Sequence, residues 1–323
     1  MTLEHVARTA GLHRLHDPQT GVDAVVGVRA AALRALRVDD RDLVEPATTT
    51  ATSPAMAGAI LVPWPNRVAD ARWWHEGVEQ HLRVTEPEFG HANHGLLAST
   101  DFSIRASEPT RVLLGAALRT PPGYPFTLDV EVEYRLEEAG IRVQIAVENQ
   151  GEQTAPVALG AHPYLRVGDV AIEQLTVAID ADHVYRPGGR HLPGERVALD
   201  GDGVDVDGDL NGWDLRRLRP VSSAPQHVTF ELARADRPLL HRLAAPDGSA
   251  VELWSDPAFR FTQLYRADRF PADDGEHAAI AIEPMTAPPD ALNSGRGIRG
   301  LAPGERWESA WGLRYVSPLS RRR

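Results

Sequence analysis

Two kinds of residue are missing from this sequence. None of its 323 residues is cysteine, and all 34 residues in the combined count of lysine and arginine are arginine. Without cysteine, the chain has no disulfide bond, thiolate nucleophile or cysteine-ligated zinc or iron–sulfur cluster. Long apolar runs are missing too. No window approaches the roughly 18 apolar residues of a membrane helix, and Met1–His5 lacks the features of a secretion signal. We therefore predict a cytoplasmic protein.

Positive charge is scarce as well. The 45 acidic residues outnumber the 34 basic ones, which gives a formal net charge of −11. The one basic run is Arg321–Arg323, which we expect to be a loose tail. A negatively charged surface repels nucleic acid and acidic membranes. The composition therefore predicts a small, neutral molecule as the partner, with no nucleic acid and no membrane.

Alternation of apolar and polar residues dominates the chain. Leu128–Leu136 alternates without a fault, and Ile141–Glu148 nearly does so after a short connection, which predicts a hairpin with one buried face. Arg29–Leu36 fits either a helical turn or a strand. Because 25 prolines make long helices unfavourable, we predict an all-β protein, a sandwich or barrel, with residues 1–323 in a single domain. Further short strands are predicted at Ala24–Val28, Leu175–Ile179, Val228–Leu232, Ala250–Trp254, Arg260–Tyr265 and Ala278–Ile282.

One segment is rich in aspartate. Asp200–Asp209 has a spacing that resembles a calcium loop, but it lacks the glutamate that closes an EF-hand loop. We interpret it as a solvated loop and predict no metal.

Polar residues interrupt the strand pattern at four places, of which two come early in the chain. In Pro63-Trp64-Pro65-Asn66-Arg67, two prolines hold an extended turn from which Asn66 and Arg67 can bind substrate hydroxyls. The alternative is a structural turn with Arg67 in a salt bridge. In His91-Ala92-Asn93-His94-Gly95, the two histidines are either structural or a weak zinc pair.

The other two places offer an acid and a base. Pro163 holds His162 in an extended conformation beside Tyr164, which suits a general acid or base. Simple core packing of His162 is the alternative. The apolar strand Ala278–Ile282 runs directly into Glu283, whose pKa should rise if it is desolvated, as a catalytic base requires. The alternative for Glu283 is a strand-end carboxylate that bonds nearby backbone.

Taken in this order, the four segments resemble the aldose 1-epimerase (galactose mutarotase) family. The resemblance extends from about Ala24 to Trp311, and Gln263 in Phe-Thr-Gln-Leu-Tyr adds a fifth match. It implies a large antiparallel β-sandwich of the galactose mutarotase type, a sugar substrate, no cofactor, and a monomer or homodimer. The site residues it implies are the base Glu283, the acid His162, a second catalytic histidine His94, and the substrate-binding residues Asn66, Arg67 and Gln263.

The sequence departs from the family pattern at one place. The family usually has an aspartate before an aromatic residue, about two dozen residues ahead of the strand that ends at Trp254. Here the segment Pro225–Phe230 contains no aspartate. We expect either His227 or Asp214 to make that substrate contact instead.

The resemblance implies that Glu283 takes the proton of the C1 hydroxyl and that His162 protonates the ring oxygen. His94 would stabilise the charge on that oxygen, and Trp64, Tyr164 or another tryptophan would stack on the sugar. Three other functions remain open. A glycoside hydrolase would pair Asp290 with Glu283, a non-catalytic module would only bind sugar, and a phosphosugar epimerase would need further arginines around the pocket.

Overall fold

The computed structural model describes residues 11–48, 52–199, 212–233, 236–272 and 275–318. Asp200–Asp209 and the tail Arg321–Arg323 lie outside these residues. With 53% of the residues in strands and 7% in helices, the all-β prediction is confirmed, as are the large antiparallel sheets. None of the helices in the described part of the chain is long and apolar enough to cross a membrane.

The larger sheet has nine strands, and we call it the back sheet. The predicted hairpin lies in it and pairs from Leu128↔Asn149 to Glu137↔Gly140. Val130 and Val132 are buried in the core, whereas Glu131 and Glu133 on the other face form ion pairs with arginines. In spatial order its strands are Ser103–Glu108, Arg111–Arg119, Thr127–Glu137, Gly140–Asn149, Arg306–Val316, Ala250–Ser255, Leu239–Ala244, Thr176–Ala178 and Arg219–Pro220.

The second sheet has eight strands, and we call it the site sheet. Two of its strands exceed ten residues and form a long antiparallel pair, from Phe261↔Met285 to Ala272↔Gly275. In spatial order its strands are Pro193–Ala198, His183–Pro187, His227–Glu231, Phe261–Ala272, Gly275–Met285, Gly160–Ala161 and Ile60–Leu61, and Tyr164–Leu165 also pairs with Gly275–Met285.

Smaller elements complete the described fold. The segment Arg29–Leu36 contributes to the strand Leu33–Val38, so its helical interpretation is wrong. The α-helix of the described residues is Ala291–Ser294, and short 3₁₀ turns lie at Pro54–Met56, Ala69–Ala71, Ile172–Gln174, Gly189–His191 and Val221–Ser223. The remaining strands are Leu12–Asp17, Val22–Gly27, Leu33–Val38 and Arg41–Asp42 in one sheet, and the pairs Ala155–Val157 with Arg299–Leu301, Arg67–Val68 with Ala92–Asn93, and Arg72–His75 with Val78–His81.

The two faces of the site sheet have different roles because side chains alternate along a strand. Val228, Leu264 and Ile282 point into the main apolar cluster, which also contains the inner face of the back sheet. The neighbours Gln263 and Glu283 therefore point to the opposite face. That face carries the polar residues of the candidate site.

Candidate active site

Strand register places four polar side chains in one line across the site sheet. Gln263 pairs with Glu283, and Thr229 pairs with Gln263. The pairs Gly160↔Met285 and Tyr164↔Ala281 put His162, between them, directly opposite Glu283. We call Thr229, Gln263, Glu283 and His162 the polar row. The distant sequence segments around residues 162 and 283 thus meet because they lie side by side in one sheet.

Two loops cover the polar row and hold each other in place. The His94 N–H donates to the Asn66 carbonyl at 2.9 Å, and the Asn66 N–H donates to His94 Nδ1 at 3.2 Å. Gly95 makes the approach possible: a Cβ there would lie 2.4 Å from the Val62 carbonyl oxygen. The Pro-Trp-Pro-Asn-Arg and Asn-His-Gly segments therefore form one unit.

A cleft of about 500 Å³ opens between the polar row and these loops. Gln263 lies behind its wall, fully buried, where its Oε1 accepts from Thr229 Oγ1 at 2.6 Å and from Asn66 Nδ2 at 3.4 Å. It therefore positions the Asn66 amide and does not itself line the cleft. Seven of the residues predicted from the sequence do line it: Asn66, Arg67, His94, His162, Tyr164, His227 and Glu283.

Glu283 and His162 form the centre of the cleft. His162 Nε2 lies 3.5 Å from Glu283 Oε1, and the two side chains are only 7% and 3% exposed. Glu283 Oε2, His162 Nδ1 and the Tyr164 hydroxyl are buried and have no hydrogen-bond partner among the described residues. Buried polar atoms without partners are rare in proteins, because each costs the free energy of its lost hydration. Three such atoms at one place are typical of a site that binds a polar ligand.

Burial determines how many protons this pair holds. Desolvation raises the pKa of Glu283 to about 8, although the charge of Arg67 opposes the rise. Desolvation lowers the pKa of His162 to about 4. Between these values the pair shares one proton, carried either by the carboxyl group or by the imidazole. Burial favours the uncharged arrangement, with the proton on Glu283.

The tautomers of two neighbouring histidines follow from their hydrogen bonds. His94 Nδ1 accepts from the Asn66 N–H, so the ring proton of the neutral His94 is on Nε2. Burial holds the pKa of His94 well below its usual range, and so the ring stays neutral. A guanidinium can only donate, so His227 Nε2 accepts from Arg67 Nη1 at 3.2 Å and carries its proton on Nδ1. Burial and the adjacent Arg67 lower the pKa of His227 to about 3.

Arg67 both lines the cleft and forms a salt bridge. Its Nε and Nη2 atoms donate to the two carboxylate oxygens of Glu86, each at 2.7 Å. Its Nη1 atom points to Asn66 Oδ1 at 3.4 Å and to His227. The sequence offered a cleft residue and a salt-bridge partner as alternatives for Arg67, and the structure shows that Arg67 is both. The bidentate pair fixes the guanidinium plane.

Three residues considered from the sequence lie elsewhere. Asp214 pairs with Arg216 at 2.7 Å and does not line the cleft, whereas His227 does. Asp290 accepts from the Ala69 N–H at 2.9 Å and faces a separate hollow, so it does not accompany Glu283 in the cleft. Trp64 is buried in the core, and none of the described cleft residues is a tryptophan. The candidate aromatic surfaces of the cleft include Tyr164 and Tyr265.

One group of described residues has the composition of a metal site. Ligand atoms of His94, His162 and Glu283 lie within 4.8 Å of one another. Zinc holds its ligands at about 2.0–2.2 Å, so this group would have to contract around an ion. His91 does not join it, because its Nδ1 accepts from the Asp70 N–H and its Nε2 contacts the Arg190 carbonyl, each at 3.1 Å. The histidines of the His-Ala-Asn-His segment therefore do not form a metal pair.

Several cleft residues were not found from the sequence. Tyr265 had a usable signal, because it follows Gln263 by two residues and so points to the same face of its strand. Glu86, Phe89 and His191 also line the cleft. They come from loops and a short 3₁₀ turn, and no periodicity or spacing connects them to the site.

Comparison with known proteins places this architecture in a family. A family model described as aldose 1-epimerase matches residues 19–314. The chain is 30% identical over 275 residues to YihR, an uncharacterized protein of Escherichia coli K12, and the match covers 84% of this chain and 83% of that protein.

Solved structures share the fold. A GalM/aldose epimerase homologue from C. elegans superposes with a TM-score of 0.82 at 16% identity, covering 96% of this chain and all of that one. Galactose 1-epimerase from Lactobacillus acidophilus NCFM has a TM-score of 0.75 at 15% identity, covering 95% and 94% of the two chains. Because the family model matches nearly the whole sequence, this protein belongs to the aldose 1-epimerase family.

Proposed function

We propose that this protein interconverts the α and β anomers of a free aldose hexose by opening and closing the sugar ring. The observation that supports this most directly is the buried pair of Glu283 and His162, whose facing atoms are 3.5 Å apart. Opening the ring removes one proton from the C1 hydroxyl and adds one to the ring oxygen. Two groups that share a single proton are what this exchange requires.

The roles of the two groups follow from proton accounting. Glu283, as the carboxylate, takes the proton of the C1 hydroxyl while the protonated His162 gives one to the ring oxygen. The open-chain aldehyde then faces a protonated Glu283 and a neutral His162, which is the arrangement that burial favours. Rotation about the C1–C2 bond and the reverse transfers close the ring as the other anomer. Each positioned group typically contributes a factor of about 10²–10⁴ to the rate.

Neighbouring residues assist the transfer. His94 presents an Nε2–H donor, since its Nδ1 accepts from Asn66, and that donor stabilises charge on the ring oxygen. Asn66 and Arg67 hold sugar hydroxyls through fixed planar groups, and Gln263 holds the Asn66 amide.

The charges of the cleft favour an unphosphorylated sugar. Arg67 is the one arginine among the described cleft residues. The carboxylate of Glu86, which accepts two hydrogen bonds from Arg67, neutralises its positive charge. Glu88 adds a further negative charge at the cleft. A phosphate group would therefore meet no free guanidinium among these residues, which disfavours a phosphosugar substrate.

Two other functions are less well supported. A retaining or inverting glycosidase needs a second carboxylate about 5–9.5 Å from the first, and Asp290 does not line the cleft. A module that only binds sugar would have no use for an adjacent acid and base buried at such cost.

The test is anomerisation of fresh single-anomer sugars, followed by polarimetry at pH 7. The panel contains neutral hexoses, their 6-phosphates and an aryl glycoside. We expect fast equilibration of at least one neutral hexose, slower equilibration of its 6-phosphate, and no release of the aryl group. A preference for the phosphate would overturn the choice of substrate, and no catalysis with any free sugar would overturn the function.

Metal removal belongs in the same assay. Because side chains make both proton transfers, exhaustive dialysis against EDTA should leave the rate within twofold of the untreated protein. If activity disappeared and zinc restored it, His94, His162 and Glu283 would be metal ligands instead.

A further inference from the structure

A turn from the edge of the site sheet reaches the mouth of the cleft. Gly189–His191 connects the strands His183–Pro187 and Pro193–Ala198, and it is closed by a bond from the Gly188 N–H to the Leu192 carbonyl at 2.8 Å. Arg190 has a φ of +56° and His191 a φ of +59°. Non-glycine residues seldom adopt this left-handed conformation, and two in a row need support from outside the turn.

That support comes from two segments about 100 residues earlier in the chain. Arg190 Nη1 donates to Asp70 Oδ1 at 2.6 Å and to the Phe89 carbonyl at 3.0 Å. His91, fully buried, accepts from the Asp70 N–H at Nδ1, so its proton is on Nε2 and that atom donates to the Arg190 carbonyl at 3.1 Å. We call these contacts of Asp70, His91 and Arg190 the tether.

The tether places the ring of His191 at the cleft wall. The ring meets Phe89 edge to face, with centroids 4.7 Å apart, and His227 at 4.9 Å and 68°. Within the described part of the chain, neither ring nitrogen of His191 has a hydrogen-bond partner. The ring is therefore held by its faces and edges, and both of its polar atoms are available to a ligand.

Among the described residues, the ring contacts of His191 are to Phe89 and His227, and other cleft residues connect it to Glu283 and His162. Successive contacts between neighbouring side chains show the order in which the residues follow one another around the cleft wall. The order runs from Glu283 to His162, His94, Asn66, Arg67, His227 and His191. A sugar with its C1 and ring oxygen at Glu283 and His162 therefore directs its opposite edge towards His227 and His191.

We propose that His191 is a specificity-determining residue that hydrogen-bonds a hydroxyl on the sugar edge remote from C1. Asp70, His91 and Arg190 are the positioning residues that keep it there. An imidazole offers one donor and one acceptor, which matches a hydroxyl group that both donates and accepts. The proposal rests on the proposed function, because it assumes a sugar with C1 at Glu283.

The test compares His191→Ala with wild type on two hexoses that differ only in the configuration at C4, and on the pentose that lacks the C6 group. For the best wild-type substrate, we expect KM to rise about tenfold, the effect of one lost hydrogen bond. The kcat value should change less than twofold, since the proton-transfer pair is untouched. The differences in kcat/KM among the three sugars should become smaller than in wild type.

The tether has its own variants. Arg190→Ala should raise KM as His191→Ala does, and the double variant should be no worse than either single one, because all act through the same ring. Arg190→Lys, which can still pair with Asp70, should recover part of the loss.

Arg186→Ala is the matched control. It removes an arginine that pairs with Glu195 on the same hairpin, outside the cleft, and it should leave KM unchanged.

The outcomes separate this proposal from the function on which it rests. If wild type is active and His191→Ala keeps the KM values and the discrimination of wild type, the role of His191 is wrong while the function stands. If wild type turns over no sugar, calorimetric titration with the same three sugars replaces KM. Weaker binding by His191→Ala then supports the role of His191. Equal binding by the two proteins, or no binding by either, overturns it.

Discussion

At the scale of single residues, burial acts in opposite directions on the two side chains that we propose as base and acid. It raises the pKa of Glu283 to about 8 and lowers the pKa of His162 to about 4. The ionic arrangement that the proposed mechanism needs for ring opening is therefore the less stable of the two one-proton arrangements. In the proposed mechanism, ring opening returns the proton to Glu283 and leaves the pair in the uncharged arrangement that burial favours.

Replacing either reacting side chain should slow turnover far more than it weakens binding. Glu283→Gln keeps the shape of the side chain but cannot accept a proton, and His162→Asn can bond the ring oxygen but cannot protonate it. We expect each to lower kcat at least about 100-fold, equivalent to about 2.7 kcal/mol. The losses should not add in the double variant, because ring opening needs both transfers.

The measurement is NMR exchange between anomers, which remains sensitive at low rates. Arg67→Ala is the comparison, and it should raise KM more than it lowers kcat. If Glu283→Gln retained more than about a tenth of the wild-type kcat, Glu283 would not be the base.

The pH dependence of kcat/KM should be bell-shaped, with limbs near pH 4 and pH 8. Below about pH 4 both groups are protonated and no base remains, whereas above about pH 8 neither is protonated and no acid remains. The alkaline limb should disappear from the residual activity of Glu283→Gln. Its persistence in that variant would assign the limb to another group.

At the scale of elements, the site depends on the contact between the two loops above the polar row. Their interlocking needs the Val62 carbonyl close to Gly95, which has a φ of +73°. His94 is adjacent, so any displacement of Gly95 also moves the imidazole that we propose to stabilise the ring oxygen. The position is therefore sensitive in both stability and activity.

Gly95→Ala should be much more harmful than Gly77→Ala. Both glycines have a φ between +70° and +80°, but a Cβ at Gly77 would meet no atom within 4 Å. The Gly77 variant should lose about 1–2 kcal/mol from its backbone conformation alone. The Gly95 variant should lose about 1–3 kcal/mol more through overpacking, and also most of its kcat. Urea unfolding and the anomerisation assay measure the two effects, and equal losses in the two variants would contradict the prediction.

At the scale of the whole molecule, buried titratable groups make stability depend on pH. Burial lowers the pKa values of His162 and His241 to about 4 and that of His227 to about 3, and it also holds the pKa of His94 well below its usual range. The unfolded chain binds protons at these positions below about pH 6.5, whereas the folded protein does not. Their contribution to stability is therefore complete above pH 6.5 and is lost as the pH falls towards 4.

We expect the urea midpoint to drop steeply between pH 6.5 and pH 5. Glu283 acts in the opposite sense, because its raised pKa means that the folded state keeps a proton that the unfolded state has released above about pH 4.5. Glu283→Gln should therefore be more stable than wild type at pH 8, and this advantage should shrink at pH 5. A urea midpoint independent of pH between 5 and 8 would contradict the burial of these groups.

The sequence alone determined the fold class and brought forward much of the candidate site. The hairpin Leu128–Leu136 and Ile141–Glu148 was readable because alternation reports directly which face of a strand is buried. Asn66, Arg67, His94, His162 and Glu283 were singled out because prolines, a glycine or an apolar run set each one in a recognisable local frame. The resemblance to the aldose 1-epimerase family then suggested their roles.

Only the tertiary structure decided which of these residues meet, and through which partners. Glu283 faces His162 because two strands more than 100 residues apart in the chain pair in one register, which no local pattern encodes. No local pattern shows that Glu86 pairs with Arg67. Nor does one show that His227 and His191 line the cleft while Asp214 does not. Loop residues bear no periodic signal, because their positions are set by distant contacts and not by the repeat of their own backbone.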